Sequence, residues 1–583
     1  MESLDAIVFE NVTFTYPAAR SSALSDISLT VREGEIILIT GPTSAGKTTL
    51  CSCVNGCIPH FYGGELKGRI LVKGQDTRKT TAGILSSTVG LLFQDPFSQL
   101  VSATVEDEVA FGPENLGLPV EEIKNRVDAS LHYVRLDKYR DSSPSTLSGG
   151  QQQACALAAI IAMKPDVYVL DEPTSNLDPI GTSMIFNLIK DLAEKERKTI
   201  IIVEHKLAQL VDVVHRVIVL KDGRIAVSGE PRVVLGEKAE YLEKLGLHPP
   251  RLSLLAQRLQ NFGLKLDTVP LTLAESYEVL SKALKRVKPS VTSSVNPQPD
   301  LSQANATGDV IIQVRDLTHQ YPGGTLALKG VSLDVRKGDF IAIIGQNGSG
   351  KTTLAKHFNG LLKPTSGSVT VFGLDVATTP SYSLVARVGY VFQNPNHQLF
   401  STKVSDELAF GCRNVGFNPE TTKKRVQEVA HLLELEKYLD ERPYSLSQGE
   451  KQRVAIAAIL AMNPEVLVID EPTTGQDPRR SRDIMDLMNM LHSAGKTIII
   501  ITHDMDLVCE YAKQVIVMND GRTLTQGPPR EVFAKAEILR EAFLAQPVIL
   551  ELFNLLRRDF PYLPASVLTV DEAVAALKDR IGG

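Results

Sequence analysis

The chain contains no apolar run approaching the roughly 18–20 residues that a membrane-spanning helix requires. Stretches such as Ile36–Ile39 and Ile498–Ile501 have the length of buried parallel strands instead. The opening MESLDAIVFEN is acidic and lacks the apolar core of a secretory leader, so export is not expected. A basic field is missing as well. The formal net charge is −6 and the isoelectric point near 6.1, which gives no support for non-specific nucleic-acid binding, although a local basic patch stays open. Cysteine is sparse, at six residues. Cys51, Cys53 and Cys57 lie together, but no second cluster completes a zinc or iron–sulfur pattern, so they read as buried or incidental thiols. These absences predict a cytoplasmic protein whose membrane role, if any, runs through a partner.

What the sequence holds is ordinary globular composition, 43% hydrophobic and 22% charged, written twice. Lys47 and Lys351 lie 304 residues apart, Ser148 and Ser447 299, Asp171-Glu172 and Asp470-Glu471 299, His205 and His503 298. A period near 300 is too long for a solenoid or propeller unit and implies a duplicated domain. Each half opens with alternating residues ending in Tyr-Pro (Tyr16-Pro17, Tyr321-Pro322), the pattern of strands with one solvated face. A short apolar strand then enters a Gly-rich loop and a helix. A mostly helical stretch follows over about 104–163 and 404–462, before the strand that carries the Asp-Glu pair. Strands alternating with helices predict an α/β fold: a mostly parallel core sheet, an antiparallel β part and a helical subdomain in each half.

The expected boundaries are a first α/β domain over 1–235, a helical extension over 236–287, a flexible linker over 288–309, a second α/β domain over 310–535 and a second extension over 536–583. The extensions are themselves repeated: Thr272-Leu273-Ala274-Glu275 aligns with Thr569-Val570-Asp571-Glu572. The linker is rich in Pro, Ser, Asn and Gln with few large apolar residues, too few to bury a core. The first half also carries five extra residues within Cys57–Lys67, where His60-Phe61-Tyr62-Gly63-Gly64 sits. Those aromatics read first as loop packing, with a binding role the lesser reading.

Gly41-Pro42-Thr43-Ser44-Ala45-Gly46-Lys47-Thr48-Thr49 and Gly345-Gln346-Asn347-Gly348-Ser349-Gly350-Lys351-Thr352-Thr353 contain the phosphate-loop pattern. Its glycines let backbone N–H groups curl around phosphate, and the helix start adds positive potential. Lys47 and Lys351 would reach the β- and γ-phosphates of ATP; Thr48 and Thr352 would coordinate Mg²⁺. Asp171 and Asp470, at the ends of apolar strands, would hold the metal's water shell, and Glu172 and Glu471 would polarise the attacking water. Leu147-Ser148-Gly149-Gly150-Gln151 and Leu446-Ser447-Gln448-Gly449-Glu450 precede helices and make anion-binding helix starts.

Together these motifs resemble ABC-type ATPases over nearly the whole chain. The resemblance implies that the halves pair head to tail, so that each ATP lies between one phosphate loop and the other half's LS-G motif. One site would join Lys47, Thr48, Asp171, Glu172 and His205 to Ser447 and Gly449. The other would join Lys351, Thr352, Asp470, Glu471 and His503 to Ser148 and Gly150. It further implies Gln94 and Gln393 as residues that sense Mg²⁺ and meet a membrane partner, and Tyr16 and Tyr321 as aromatics stacking on adenine. Asp178 and Asp477 match the D-loop aspartate, His205 and His503 the histidine that contacts the γ-phosphate. The halves depart from each other at Ser44 against Gly348, Ala154 against Arg453, Gly149 against Gln448, and Glu204-His205-Lys206 against Thr502-His503-Asp504. None of these removes a metal ligand or base, so two competent sites of unequal rate are expected.

The segments Gln94–Leu100 and Gln393–Phe400, leading to Thr104–Gly112 and Val404–Gly411, together with the Ile58–Leu66 insert, resemble the fused ATPase subunit of energy-coupling factor importers. That group takes up vitamins and transition-metal ions with an integral membrane coupling (T) subunit and a small membrane substrate-binding (S) subunit. Two other readings stand behind it. One is the twin ATPase of a sugar-type importer. The other is a soluble ABC factor acting on ribosomes or nucleic acid, which the sparsely charged linker and negative net charge disfavour.

Overall fold

The computed structural model describes residues 4–581 except 18, 176, 178, 206, 287–307, 474, 475 and 477. The linker expected at 288–309 therefore lies outside the described residues apart from Gly308 and Asp309. The chain forms two compact units, 1–285 and 286–583.

Each unit is built around a six-stranded sheet. In the first, the spatial order is Arg224–Gly229, Arg216–Lys221, Ile36–Thr40, Thr199–Val203, Val167–Asp171, Val89–Leu92, parallel except for the outermost Arg224–Gly229. The second repeats it with Arg522–Gly527, Gln514–Asn519, Phe340–Ile344, Thr497–Ile501, Val466–Asp470 and Val388–Val391. The three central strands of each sheet are buried at every residue, which is why they read as unbroken Val/Ile/Leu runs. A four-stranded antiparallel sheet flanks each core, led by Asp5–Thr15 and Val310–Gln320. Burial follows the period of two along both strands apart from a register shift between Phe9 and Val12, and between Val314 and Leu317, that resets it.

The predicted helical stretches resolve into Val105–Asn115, Val120–Tyr133 and Gly149–Met163 in one unit, and Val404–Asn414, Pro419–Leu432 and Gln448–Ala461 in the other. This confirms the expected fold class: two tandem P-loop domains of mixed sheet with helices.

After each core come further helices, Arg251–Asn261 and Leu273–Arg286, then Val548–Asp559 and Val570–Ile581. Equivalent contacts tie them down. Arg232 Nη2 donates to Glu275 Oε1 (2.7 Å), whose other oxygen accepts from the Leu271 N–H (2.8 Å). Arg530 and Glu572 repeat the pair at 2.5 Å, and Glu572 Oε2 accepts from Leu568 N–H at 2.8 Å. Exposed ion pairs of this kind contribute about 0.2–1 kcal/mol each, so burial carries the docking. Phe533 is fully buried in the core cluster that also contains Leu550 and Leu568. Phe533→Ala is expected to destabilise the second unit by about 3–5 kcal/mol, read as a loss of its transition in chemical denaturation at lower denaturant.

Candidate nucleotide-binding sites

In each unit the central strand runs directly into the phosphate loop and its helix, Lys47–Val54 or Lys351–Phe358. Gly46 and Gly350 precede those helices with the same left-handed φ of 97°. A Cβ there would stand 2.5 Å from the Ala23 carbonyl oxygen or 2.7 Å from that of Ala327, so only glycine fits. Gly348 is left-handed at φ 79°, and Ser44 adopts the same conformation at 64°. A side chain in this region costs about 1–2 kcal/mol, and its presence at a loop that must shape itself to phosphate marks stored strain. Lys47 Nζ donates to the carbonyls of Gly41 (2.9 Å) and Pro42 (3.0 Å), and Lys351 Nζ to those of Gly345 and Gln346 (both 2.8 Å). Both ammonium groups are buried against their own loops, where phosphate oxygens can replace the carbonyls. One position further on, Thr49 and Thr353 bond the hydroxyls of Tyr16 (3.2 Å) and Tyr321 (3.1 Å), so each aromatic ring is tethered to its phosphate-loop helix.

The neighbouring strands bring the carboxylates alongside. Asp171 is 2% exposed, and burial, with Glu172 beside it, pushes its carboxyl up to about 7 despite Thr48, Lys47 and His205. Its Oδ1 is buried with no hydrogen-bond partner among the described residues. An orphaned carboxylate oxygen next to a threonine hydroxyl fits a hard divalent cation that keeps most of its waters, as Mg²⁺ does. Asp470 is also raised by burial, and its Oδ2 accepts from Thr352 Oγ1 (2.7 Å) and Tyr390 Oη (3.0 Å).

Glu172 and Glu471 both take left-handed backbone, φ 50° and 51°, where non-glycine residues are strained. His205 Nε2 lies 3.3 Å from Glu172 Oε1, and His503 Nδ1 3.0 Å from Glu471 Oε1. Here the units diverge. Gln94 Nε2 donates to Glu172 Oε2 at 2.9 Å, whereas Gln393 is exposed and Glu471 Oε2 is buried without a partner among the described residues. Burial works to raise the Glu172 carboxyl, but the His205 contact, the charges of His205 and Lys47 and the Gln94 bond outweigh it and hold it below its ordinary value.

Ser148 and Ser447 are the N-caps of Gly149–Met163 and Gln448–Ala461, each in a reciprocal capping box with Gln151 or Glu450. Gly149 and Gln448 are exposed and Gly150 half-buried, whereas Gly449 is buried; a Cβ on it would meet Gln476 Oε1 at 2.8 Å. Asn347 lies exposed in its phosphate loop, four residues before Lys351. Asp178 and Asp477 are outside the described residues.

Two functional features escape sequence reading. Tyr390, whose hydroxyl bonds Asp470, stands where the first half has Leu91; a tyrosine in an otherwise apolar four-residue strand was the available signal. Glu204, 3% exposed, accepts from Thr174 Oγ1 (2.5 Å) and from the His205 N–H (2.8 Å), which links the segment after Glu172 to the histidine. Its only sequence trace was the difference from Thr502.

Paired phosphate loops on mixed α/β sheets, each flanked by a buried Asp-Glu pair, define a tandem P-loop ATPase. A family model described as ABC transporter matches residues 24–175 and 328–474, and the chain belongs to that family. It is 41% identical over 98% of its length to a provisionally assigned ABC transporter ATP-binding protein of Caldanaerobacter subterraneus subsp. tengcongensis, covering 99% of that protein. It is 39% identical to a similarly assigned protein of Methanosarcina mazei, covering 99% of this chain and 98% of that one. Among solved structures, cbiO1 of Clostridium perfringens, part of the ABC transporter complex cbiONQ, is 41% identical over 97% of its own chain and 41% of this one, with a TM-score of 0.37. The chain is thus an ATP-binding ABC ATPase with two tandem domains. Among the described residues no helix is long and apolar enough to cross a membrane, and the family implies a membrane partner.

The raised Asp171 carboxyl sets a pH test. Its folded value of about 7 lies above the ordinary 3.8. The folded state therefore holds a proton that the unfolded chain releases, a stabilisation complete below the lower value and lost through the upper one. In chelator-treated buffer, thermal stability is expected to fall between pH about 4 and about 7, and Asp171→Asn to flatten that slope. A variant with the parental slope would refute the assignment.

Proposed function

We propose that the chain is the ATP-hydrolysing energy-coupling subunit of an energy-coupling factor importer for vitamins or transition-metal ions. It would work at the cytoplasmic face of the membrane with an integral coupling (T) subunit and a small substrate-binding (S) subunit. The observation that carries this reading is a rigid apolar display beside each Gln94 or Gln393 loop. Glu108, buried at 5% exposure, accepts from the N–H groups of Val101 (2.8 Å) and Ser102 (2.7 Å); Glu407, at 3%, does the same for Phe400 (3.0 Å) and Ser401 (2.7 Å). Val101 and Phe400, so held, are exposed, as are Phe111 in the first unit and Phe410 and Tyr444 in the second. A buried carboxylate spent on presenting apolar residues to solvent supports a docking role for them. The residues are those whose pattern resembles the importer group.

In this reading Lys47 and Lys351 take the phosphates of ATP, while Thr48, Gln94 and Asp171, or Thr352, Gln393 and Asp470, hold Mg²⁺. The metal neutralises charge developing on the phosphoryl oxygens. Glu172 and Glu471 accept the proton of the attacking water, oriented by His205 and His503. Ser148, Gly149 and Gly150 of one half, and Ser447, Gln448 and Gly449 of the other, supply helix starts to the ATP bound by the opposite phosphate loop, which makes two composite sites per chain. Closure on two ATP and reopening after hydrolysis would move the partner's membrane helices. Glu172, bonded at both oxygens, and Glu471, bonded at one, support two working sites of unequal rate.

Glu172→Gln and Glu471→Gln made separately are expected to lower ATP turnover by different factors, and together by about 10²-fold or more, with ATP retained. One substitution that leaves turnover untouched would show that its site is silent. Affinity purification from detergent-solubilised host membranes is expected to recover a polytopic protein and a small, very apolar second one, and Val101→Asp with Phe400→Asp to lose both. Recovery with ribosomal proteins from the soluble fraction would overturn the importer reading and leave the ATPase intact.

A further inference from the structure

The five-residue insert of the first half has no counterpart in the second, and its aromatics do not pack as the sequence suggested. Ile58 is fully buried and His60 Nε2 lies 2.8 Å from the Thr77 carbonyl oxygen, so the base of the insert is anchored. The Phe61 and Tyr62 N–H groups both donate to the Cys57 carbonyl (2.8 and 3.1 Å), and Gly63 N–H to that of Pro59 (3.0 Å), which makes the turn stiff. Yet Phe61 is 75% exposed and Tyr62 48%. Glu65, just past the turn, pairs with Thr15, which brings the turn back to the end of the strand that precedes Tyr16. Tyr62 stands edge-on to Tyr16, centroids 6.4 Å apart and planes at 80°. Tyr16 is in turn tied through Thr49 to the phosphate-loop helix. In the second unit Tyr321 keeps the equivalent tether to Thr353, but the corresponding Asn359–Gly367 segment contains no aromatic residue.

Resting on the reading that ATP binds the first phosphate loop, we propose that Tyr62 and Phe61 form a second wall of the adenine site in the first unit alone. Two rings at 80° make a corner in which a flat heteroaromatic base stacks on one ring and meets the other edge-on, the two arrangements aromatic systems favour. A triphosphate anchored at Lys47 extends its base toward that corner. The first site thus reads the base through three aromatic residues, and the second through Tyr321 only. The two sites of one chain therefore differ in affinity for the base, not only in catalytic partners.

The chain contains no tryptophan, so Phe61→Trp introduces a single fluorophore. Its emission is expected to change saturably with Mg·ATP. It should stay constant with inorganic triphosphate, which carries the phosphates without a base. Adding Lys47→Ala should abolish the response, and adding Lys351→Ala should preserve it. Without the tryptophan, Tyr62→Ala is expected to weaken ATP binding at the first site roughly tenfold, Tyr62→Phe to restore it, and triphosphate affinity to stay as it was. Equilibrium dialysis separates the ways of failing. ATP bound at the first loop with unchanged emission and unchanged Tyr62→Ala affinity would overturn the second wall while leaving the ATP site standing. No ATP bound at all would overturn both.

Discussion

Each unit sets an aspartate and a glutamate side by side at the end of a fully buried strand, and most of what surrounds them answers that arrangement. Two carboxylates out of water repel each other and lose hydration, a cost of several kcal/mol per charge unless partners compensate. In the first unit the compensation falls mainly on the glutamate, which His205 and Gln94 both reach, and in the second on the aspartate, which accepts from Thr352 and Tyr390; in both, the left-handed Glu172 or Glu471 meets a histidine just past the end of the neighbouring strand. In the first unit Asp171 Oδ1 is left orphaned among the described residues, and in the second Glu471 Oε2. An orphaned Asp171 oxygen fits the cation that the proposed function places there.

The duplication preserves this frame and varies what leans on it. The same sheet order, the same glycine cap at φ 97° and the same lysine parked on loop carbonyls recur in both units. Behind the conserved frame, Leu91 is answered by Tyr390 and Glu204 by Thr502. Cys53, behind Tyr16, is answered by His357, which burial holds near a pKa of about 4 and hence neutral. Each change alters a neighbour of the reacting groups rather than the groups themselves. In the proposed function such substitutions would tune the two sites without removing a reacting group.

The buried glutamates Glu108 and Glu407 show the same economy applied to the surface. Each accepts two backbone N–H groups from the loop it faces, so the loop keeps one shape while its apolar side chains stay in water. A stiff apolar surface loses little entropy when covered, which favours docking of a membrane partner over adventitious contact.

Long apolar strands, the phosphate loops and the Asp-Glu pairs were legible from residues alone because each depends on local spacing: five buried residues make a strand, and a loop glycine before Lys-Thr makes a cradle. Ser148 and Ser447 as helix starts were equally plain, since a capping box is complete within four residues. The exposed state of Phe61 was not legible, nor the bond from Gln94 to Glu172 across 78 positions, nor that from Tyr390 to Asp470 across 80. These depend on which strands become neighbours and which way a turn faces, and no local pattern encodes that. Sequence by itself determined the repeat, the fold class and the inventory of reactive groups. Tertiary structure alone decided which carboxylate oxygens are satisfied and which aromatics remain in water, because hydrogen bonding and burial are set by the meeting of distant segments.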